Sequence, residues 1–121
     1  MTARRTAGRA SCLLFVYGSL KREQVNHREL HAAEYVSTTR TASSFALRVI
    51  DGYPALVPGS RAIVGELYRI APTELRALDE FEGSAYVRQE IELSNGERAL
   101  AYLSRVPDAG APFPGDEWPV R

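Results

Sequence analysis

The 121-residue chain predicts an α+β domain: a small mixed-sheet β-barrel built from six or so short strands and two short helices. Three observations carry that class. An apolar run, CLLFVY at residues 12–17, stops at Gly18 and suits a strand buried on both faces. After Pro72, Leu75 and Leu78 recur at helical spacing. Near the end, YVRQEIEL and ERALAYLSR flank Ser94, Asn95 and Gly96, and Asn-Gly is the favoured two-residue hairpin turn.

The remaining elements follow in chain order. GSLKREQVNHRELHAA contains a short helix over residues 26–33. YVSTT and SSFALRVI read as strands, the second ended by the turn signal DGYP; ALV then precedes Pro58-Gly59. RAIVGELYRI, residues 61–70, is a longer strand whose Gly65 marks a bulge or a close backbone approach. A helix over residues 72–82 puts Leu75, Leu78 and Phe81 on the side that a small domain buries. In the first hairpin arm Tyr86, Arg88, Glu90 and Glu92 alternate with Val87, Gln89, Ile91 and Leu93. The tail, VPDAGAPFPGDEWPVR, has four prolines and is expected to wrap over the surface, with Phe113 or Trp118 as the anchor.

A chain of 13.4 kDa fits one domain, and folding should bury about 13,000 Å² of its extended surface. Residues 1–11 read as a disordered basic extension and residues 12–121 as the domain. Arg4, Arg5 and Arg9 lie among the first ten residues, which contain no acid. Of fifteen bases, twelve therefore remain against fifteen acids, a net of −3 for residues 11–121. That balance argues against a nucleic-acid partner. No apolar stretch reaches membrane-spanning length, and the single Cys12 has no internal partner, so it reads as buried packing in a cytoplasmic protein.

Few residues carry chemistry. His27 and His31 share a face of the first helix, but no third ligand accompanies them; they read as solvated, and no metal or cofactor is expected. No serine lies in a nucleophile elbow. YGSL, residues 17–20, ends a buried strand in a turn with little side-chain shielding. It is either an ordinary turn or one whose N–H groups hold an anion. Glu82 projects nearly with Leu75 and Leu78, in the last turn before Gly83. Either the helix frays there and the carboxylate swings to water, or the acid is held in the apolar stripe. In the second case burial and the helix dipole both raise its pKa, which makes a useful base of a weak one.

FVYGSLKREQVNHREL, GELYRI and LDEFEGSAYVR together resemble the gamma-glutamylcyclotransferase-like superfamily, nearest its gamma-glutamylamine cyclotransferase and AIG2-like branch. The likeness runs from about Leu13 to Leu103. It implies the barrel of that family and a cofactor-free ring closure on a small-molecule gamma-glutamyl amine or amide, releasing 5-oxoproline. The family's catalytic glutamate maps onto Glu82, as general base and acid. Its substrate-holding loop maps onto Tyr17, Gly18, Ser19 and Leu20. Ser19 stands where relatives often have threonine, Glu23 where glycine is common, and Asp116 and Glu117 interrupt the usual ending near Trp118. Two alternatives stay open: a barrel that binds a small molecule without turnover, and removal of a gamma-glutamyl protecting group in natural-product biosynthesis.

Overall fold

The computed structural model describes residues 11–30 and 32–119. Eight strands and one α-helix follow in order among them. They are β1 (Cys12–Val16), β2 (Glu34–Arg40), β3 (Phe45–Ile50), β4 (Tyr53–Pro58), β5 (Val64–Ile70), α1 (Pro72–Glu82), β6 (Tyr86–Glu92), β7 (Arg98–Ser104) and β8 (Ala111–Phe113). They form one mixed sheet in the order β2-β5-β1-β7-β4-β3-β8, with β6 also paired to β7. The sheet curls until β2 reaches β6, where Thr41 bridges to Leu93. Ala42 N–H donates to the Glu92 carbonyl and Ser94 N–H to that of Arg40, each at 2.9 Å. This is the α+β barrel that the sequence predicts.

The apolar run of β1 is explained by two cores. Phe15 and Tyr17 point inside the curl, with Leu47, Leu56, Leu67 and Leu103. Leu14 and Val16 point outward, where Tyr68, Ile70, Leu75, Leu78 and Tyr102 surround them. A strand between two cores has no polar face. Full burial of each such side chain contributes roughly 1.5–3 kcal/mol, so β1 is anchored on both of its faces. Gly65, on β5, lies where a Cβ would come 2.5 Å from the Phe15 ring, so the glycine marks a close approach. The register shift in the β2–β5 pairing lies elsewhere, between Tyr35 and Ser37, opposite Tyr68 and Leu67.

Strand β7 sets the geometry of the site. β1 and β4 both pair with it in parallel, at Leu14–Leu100 and at Leu56–Leu103, and diverge in between. The Tyr17 hydroxyl spans the gap, donating to the Tyr102 carbonyl at 2.6 Å and accepting from Leu56 N–H at 3.0 Å. A buried phenol thus replaces a missing ladder bond, satisfying two backbone groups that would otherwise lack a partner.

Several expectations are corrected. The first helix is a single 3-10 turn, His27–Leu30. The hairpin loop has three residues: Leu93 N–H donates to the Glu97 carbonyl and Gly96 N–H to that of Leu93, with Gly96 at φ 89°. That is the bulged form in which glycine takes the left-handed position. The segment around ALV is a full strand, β4, and the tail contributes β8, so the sheet has more strands than six. Both Phe113 and Trp118 pack on the inner core. The tail also reaches the opposite side of the sheet, where Val64 N–H donates to the Asp116 carbonyl and Arg40 pairs with the Asp116 carboxylate at 3.1 Å. The basic extension expected over residues 1–11 covers residues 1–10, outside the described residues, and Ser11 just before β1.

Candidate active site

A pocket of about 340 Å³ opens where β1 ends, and all five residues singled out from the sequence line it: Tyr17, Gly18, Ser19, Leu20 and Glu82. Two elements bring them together. β1 delivers the loop, and α1 ends at the pocket wall.

The loop is held from behind. Its three carbonyls all accept bonds from the protein: Gly18 from Lys21 N–H at 3.0 Å, Ser19 from Asn26 N–H at 2.9 Å, and Leu20 from His27 Nδ1 at 2.9 Å. With the carbonyls drawn inward, the N–H groups of Gly18, Ser19 and Leu20 donate to no other described residue. His27 therefore braces the loop, a correction to its reading as solvated; His31 lies outside the described residues. Arg22 pins the far side, its N–H and guanidinium both reaching Glu66. Asn26 also donates from Nδ2 to Ser19 Oγ at 2.9 Å, which leaves the serine O–H to donate elsewhere. Gly18 is required by a close approach: a Cβ there would stand 2.5 Å from Pro54 Cγ, on β4.

Helix α1 starts with Pro72 at its first turn, and the Glu74 carboxylate accepts weakly from Ala71 N–H at 3.4 Å. Leu75 and Leu78 fix it to the outer core. Glu82 follows Leu78 by four residues and is turned the same way, but past the edge of that core, so it enters the pocket. Gly83, at φ 78°, ends the helix in a conformation that only glycine adopts cheaply. No hydrogen bond or ion pair from another described residue reaches the Glu82 carboxylate. Burial alone pushes its pKa from 4.5 up to about 7. The phenols of Tyr17, Tyr86 and Tyr102 are raised first by their own burial, and each also feels the Glu82 charge. Asp79, one turn earlier, has what Glu82 lacks: the Tyr102 hydroxyl at 2.7 Å and Arg88 at 3.1 Å.

The rest of the wall was missed by sequence reasoning. It comprises Asn26, Tyr53, Pro54, Tyr86 and Tyr102, from four separate segments. Asn26 and Tyr86 lie inside the motif stretches, where proximity to YGSL and Glu82 was a signal. Tyr53, Pro54 and Tyr102 carry no local signal. Phe81, assigned to the buried stripe, is instead 42 % exposed at the pocket mouth. Among the described residues no group of three or more potential ligands could hold a metal ion. Nor is any helix there long and apolar enough to cross a membrane.

A family model described as "Gamma-glutamyl cyclotransferase, AIG2-like" matches residues 14–120. The chain is 36% identical over 111 residues to the gamma-glutamylaminecyclotransferase A of Danio rerio, covering 78% of this chain and 69% of that protein. It is 30% identical over 107 residues to the gamma-glutamylcyclotransferase family protein YtfP of Escherichia coli K12, covering 87% and 94%. Among solved structures, an AIG2-like protein from Mus musculus superimposes with a TM-score of 0.70 at 30% identity, covering 78% of each chain.

Proposed function

The chain belongs to the gamma-glutamyl cyclotransferase, AIG2-like family, and we propose that it converts a gamma-glutamyl amine or amide to 5-oxoproline and a free amine, with Glu82 as base and acid. One observation carries this reading: a carboxylate with no partner among the described residues, raised to about 7, shares a pocket with three loop residues whose backbone N–H groups donate to no other described residue.

The substrate supplies its own nucleophile, the α-amine, positioned to close a five-membered ring on the γ-carbonyl. Glu82 takes a proton from that amine. Against an α-amino pKa near ~8, an ordinary glutamate leaves the transfer uphill by roughly 5 kcal/mol. A pKa of about 7 leaves one unit, roughly 1.4 kcal/mol. The amine nitrogen bonds to the γ-carbon, and the amides of Gly18, Ser19 and Leu20 receive the negative charge that develops on the carbonyl oxygen. Protonated Glu82 then gives its proton to the departing nitrogen as the old C–N bond breaks, and the second proton of the ring nitrogen follows by the same carboxylate, so that the lactam keeps one N–H and the amine leaves as its ammonium ion. No water is consumed and the carboxylate is regenerated. Holding the flexible glutamyl chain in its ring-closing shape is the other contribution, made by the tyrosine walls.

Tyr17 acts through its position, because its hydroxyl is already committed to Tyr102 and Leu56. The chemistry proposed needs no metal, and the partner is a small molecule. A cytoplasmic setting fits the lone, unpaired Cys12. The test is to incubate the protein with a panel of gamma-glutamyl amines and peptides and to measure 5-oxoproline by mass spectrometry. Wild type should form it from some members of the panel and Glu82→Gln from none at a comparable rate. A pocket that binds these compounds but releases no 5-oxoproline would instead be a binding module.

A further inference from the structure

Among the described residues, the pocket lining offers neutral donors for a carboxylate but no cation to pair with a second one. The γ-glutamyl moiety brings its own α-carboxylate, for which the Ser19 hydroxyl and the Asn26 amide are available beside the loop amides. All of these donors are neutral. Among the described residues, the lining holds no lysine, arginine or histidine, and its only acid is Glu82. The cause of the raised Glu82 pKa is burial, with no cation contributing. Arg88 and Arg105 belong to a neighbouring hollow beyond Tyr86. Arg105 is engaged there with the carbonyls of Ser84 at 2.9 Å and Tyr86 at 3.2 Å, and Arg88 lies 3.1 Å from the Asp79 carboxylate, although its buried Nη1 makes no hydrogen bond among the described residues. A second carboxylate, on the leaving amine, would enter an uncompensated site that already holds one acid, a costly arrangement.

The mouth offers something different. Tyr53 is 44 % and Phe81 42 % exposed, although both are large apolar side chains on ordered elements. Phe81 even follows the spacing that buries Leu75 and Leu78, yet it stands at the pocket rather than in the core. Folding gives no reason to present two rings at one opening. A ligand that covers them does.

We propose that the leaving group is a primary amine with a flat apolar or aromatic substituent and no carboxylate, seated between Tyr53 and Phe81. This rests on the cyclotransferase reading above and names the substrate class of the same site. Amino acids and peptides joined through their α-nitrogen are thereby disfavoured, because their carboxylate falls beside the apolar mouth.

Three substrates test it with the full chain: the γ-glutamyl amides of phenethylamine and of methylamine, and γ-glutamyl-phenylalanine, which is the first compound with a carboxylate added. Expected is a kcat/KM for the phenethylamide at least ~10-fold above that for γ-glutamyl-phenylalanine. Phe81→Ala and Tyr53→Ala should each cut the phenethylamide-to-methylamide ratio by about 3- to 10-fold, mainly through KM. Phe81→Arg should raise γ-glutamyl-phenylalanine relative to the phenethylamide. Equal rates on the matched pair, or ratios that neither alanine variant moves, would overturn the assignment while leaving the reaction standing. If no compound yields 5-oxoproline, the reaction itself falls, and calorimetry on the wild-type protein then decides the preference: phenethylamide bound tighter supports it, and γ-glutamyl-phenylalanine bound as tightly overturns it.

Discussion

Two glutamates, Glu66 and Glu82, both lie close to the YGSL segment, and the protein treats them in opposite ways. Glu66, on β5, is 9 % exposed and accepts from Arg22 N–H at 2.9 Å, the Arg22 guanidinium at 3.3 Å and the Tyr68 hydroxyl at 3.0 Å. Arg22 in turn lies 4.0 Å over the Tyr35 ring. Glu82 has neither donor nor cation among the described residues. An acid with donors on both oxygens fixes a shape. A buried acid left without partners costs stability and gains a pKa suited to moving a proton near neutrality. The first holds the loop that shares a pocket with the second.

The sharpest way to break this contrast is Glu82→Gln. The rate of 5-oxoproline formation should fall by ~100-fold or more, because glutamine keeps the shape and loses the proton transfer. Stability should move the other way. Burial raises the folded pKa to about 7 from 4.5, so ionisation penalises the folded state. Wild type therefore keeps its full relative stability below about pH 4.5 and loses it as pH rises toward about 7. The variant should melt higher than wild type at neutral pH, with the difference vanishing by pH 4. Paired melting curves across pH 4 to 8 check this; a variant that is inactive and less stable would mean that the carboxylate is partnered after all. In wild type, kcat/KM should rise with pH through about 7 as Glu82 ionises.

Gly18→Val probes the loop close to both acids. Its side chain would run into Pro54 Cγ, where even a Cβ stands at 2.5 Å, and would displace the amides. The expected loss is about 100-fold in rate, the scale of losing one oxyanion donor. A folded variant with near-normal turnover would remove the loop from the mechanism.

Glu66→Ala should behave as the structural partner in the comparison. It strands the Arg22 N–H and the Tyr68 hydroxyl, for a stability loss of about 1–3 kcal/mol read from denaturant melts. Any fall in activity should follow from a loosened loop, and so leave the pH at which kcat/KM rises where it is in wild type. A shifted profile would mean that Glu66 acts on the chemistry directly. The smallest effect is expected from deleting residues 1–10, whose sequence has no periodic apolar face: under ~0.5 kcal/mol, within the error of a thermal melt.

Sequence alone determined the local features. The buried β1, the helix ending at Glu82, and the glycine after each site segment were readable, because strand and helix periodicity and turn chemistry act over a few residues. The anomaly of Glu82 was readable too, since one carboxylate in a stripe of leucines violates a local pattern. Its resolution was not: whether the acid frays outward or turns into a pocket depends on Tyr17, Tyr86 and Tyr102, which reach it from three strands. Phe81 shows the limit most plainly. The same spacing that buried Leu75 and Leu78 placed it in the core, but the core ends one turn earlier, and only the packing of β4 and β6 around that edge fixes where. The sheet decides that edge by letting β1 and β4 diverge along β7 and tying them through the Tyr17 hydroxyl. Residues 17, 56 and 102 meet there by tertiary pairing, and no period along the chain relates them; that split in the sheet makes the pocket.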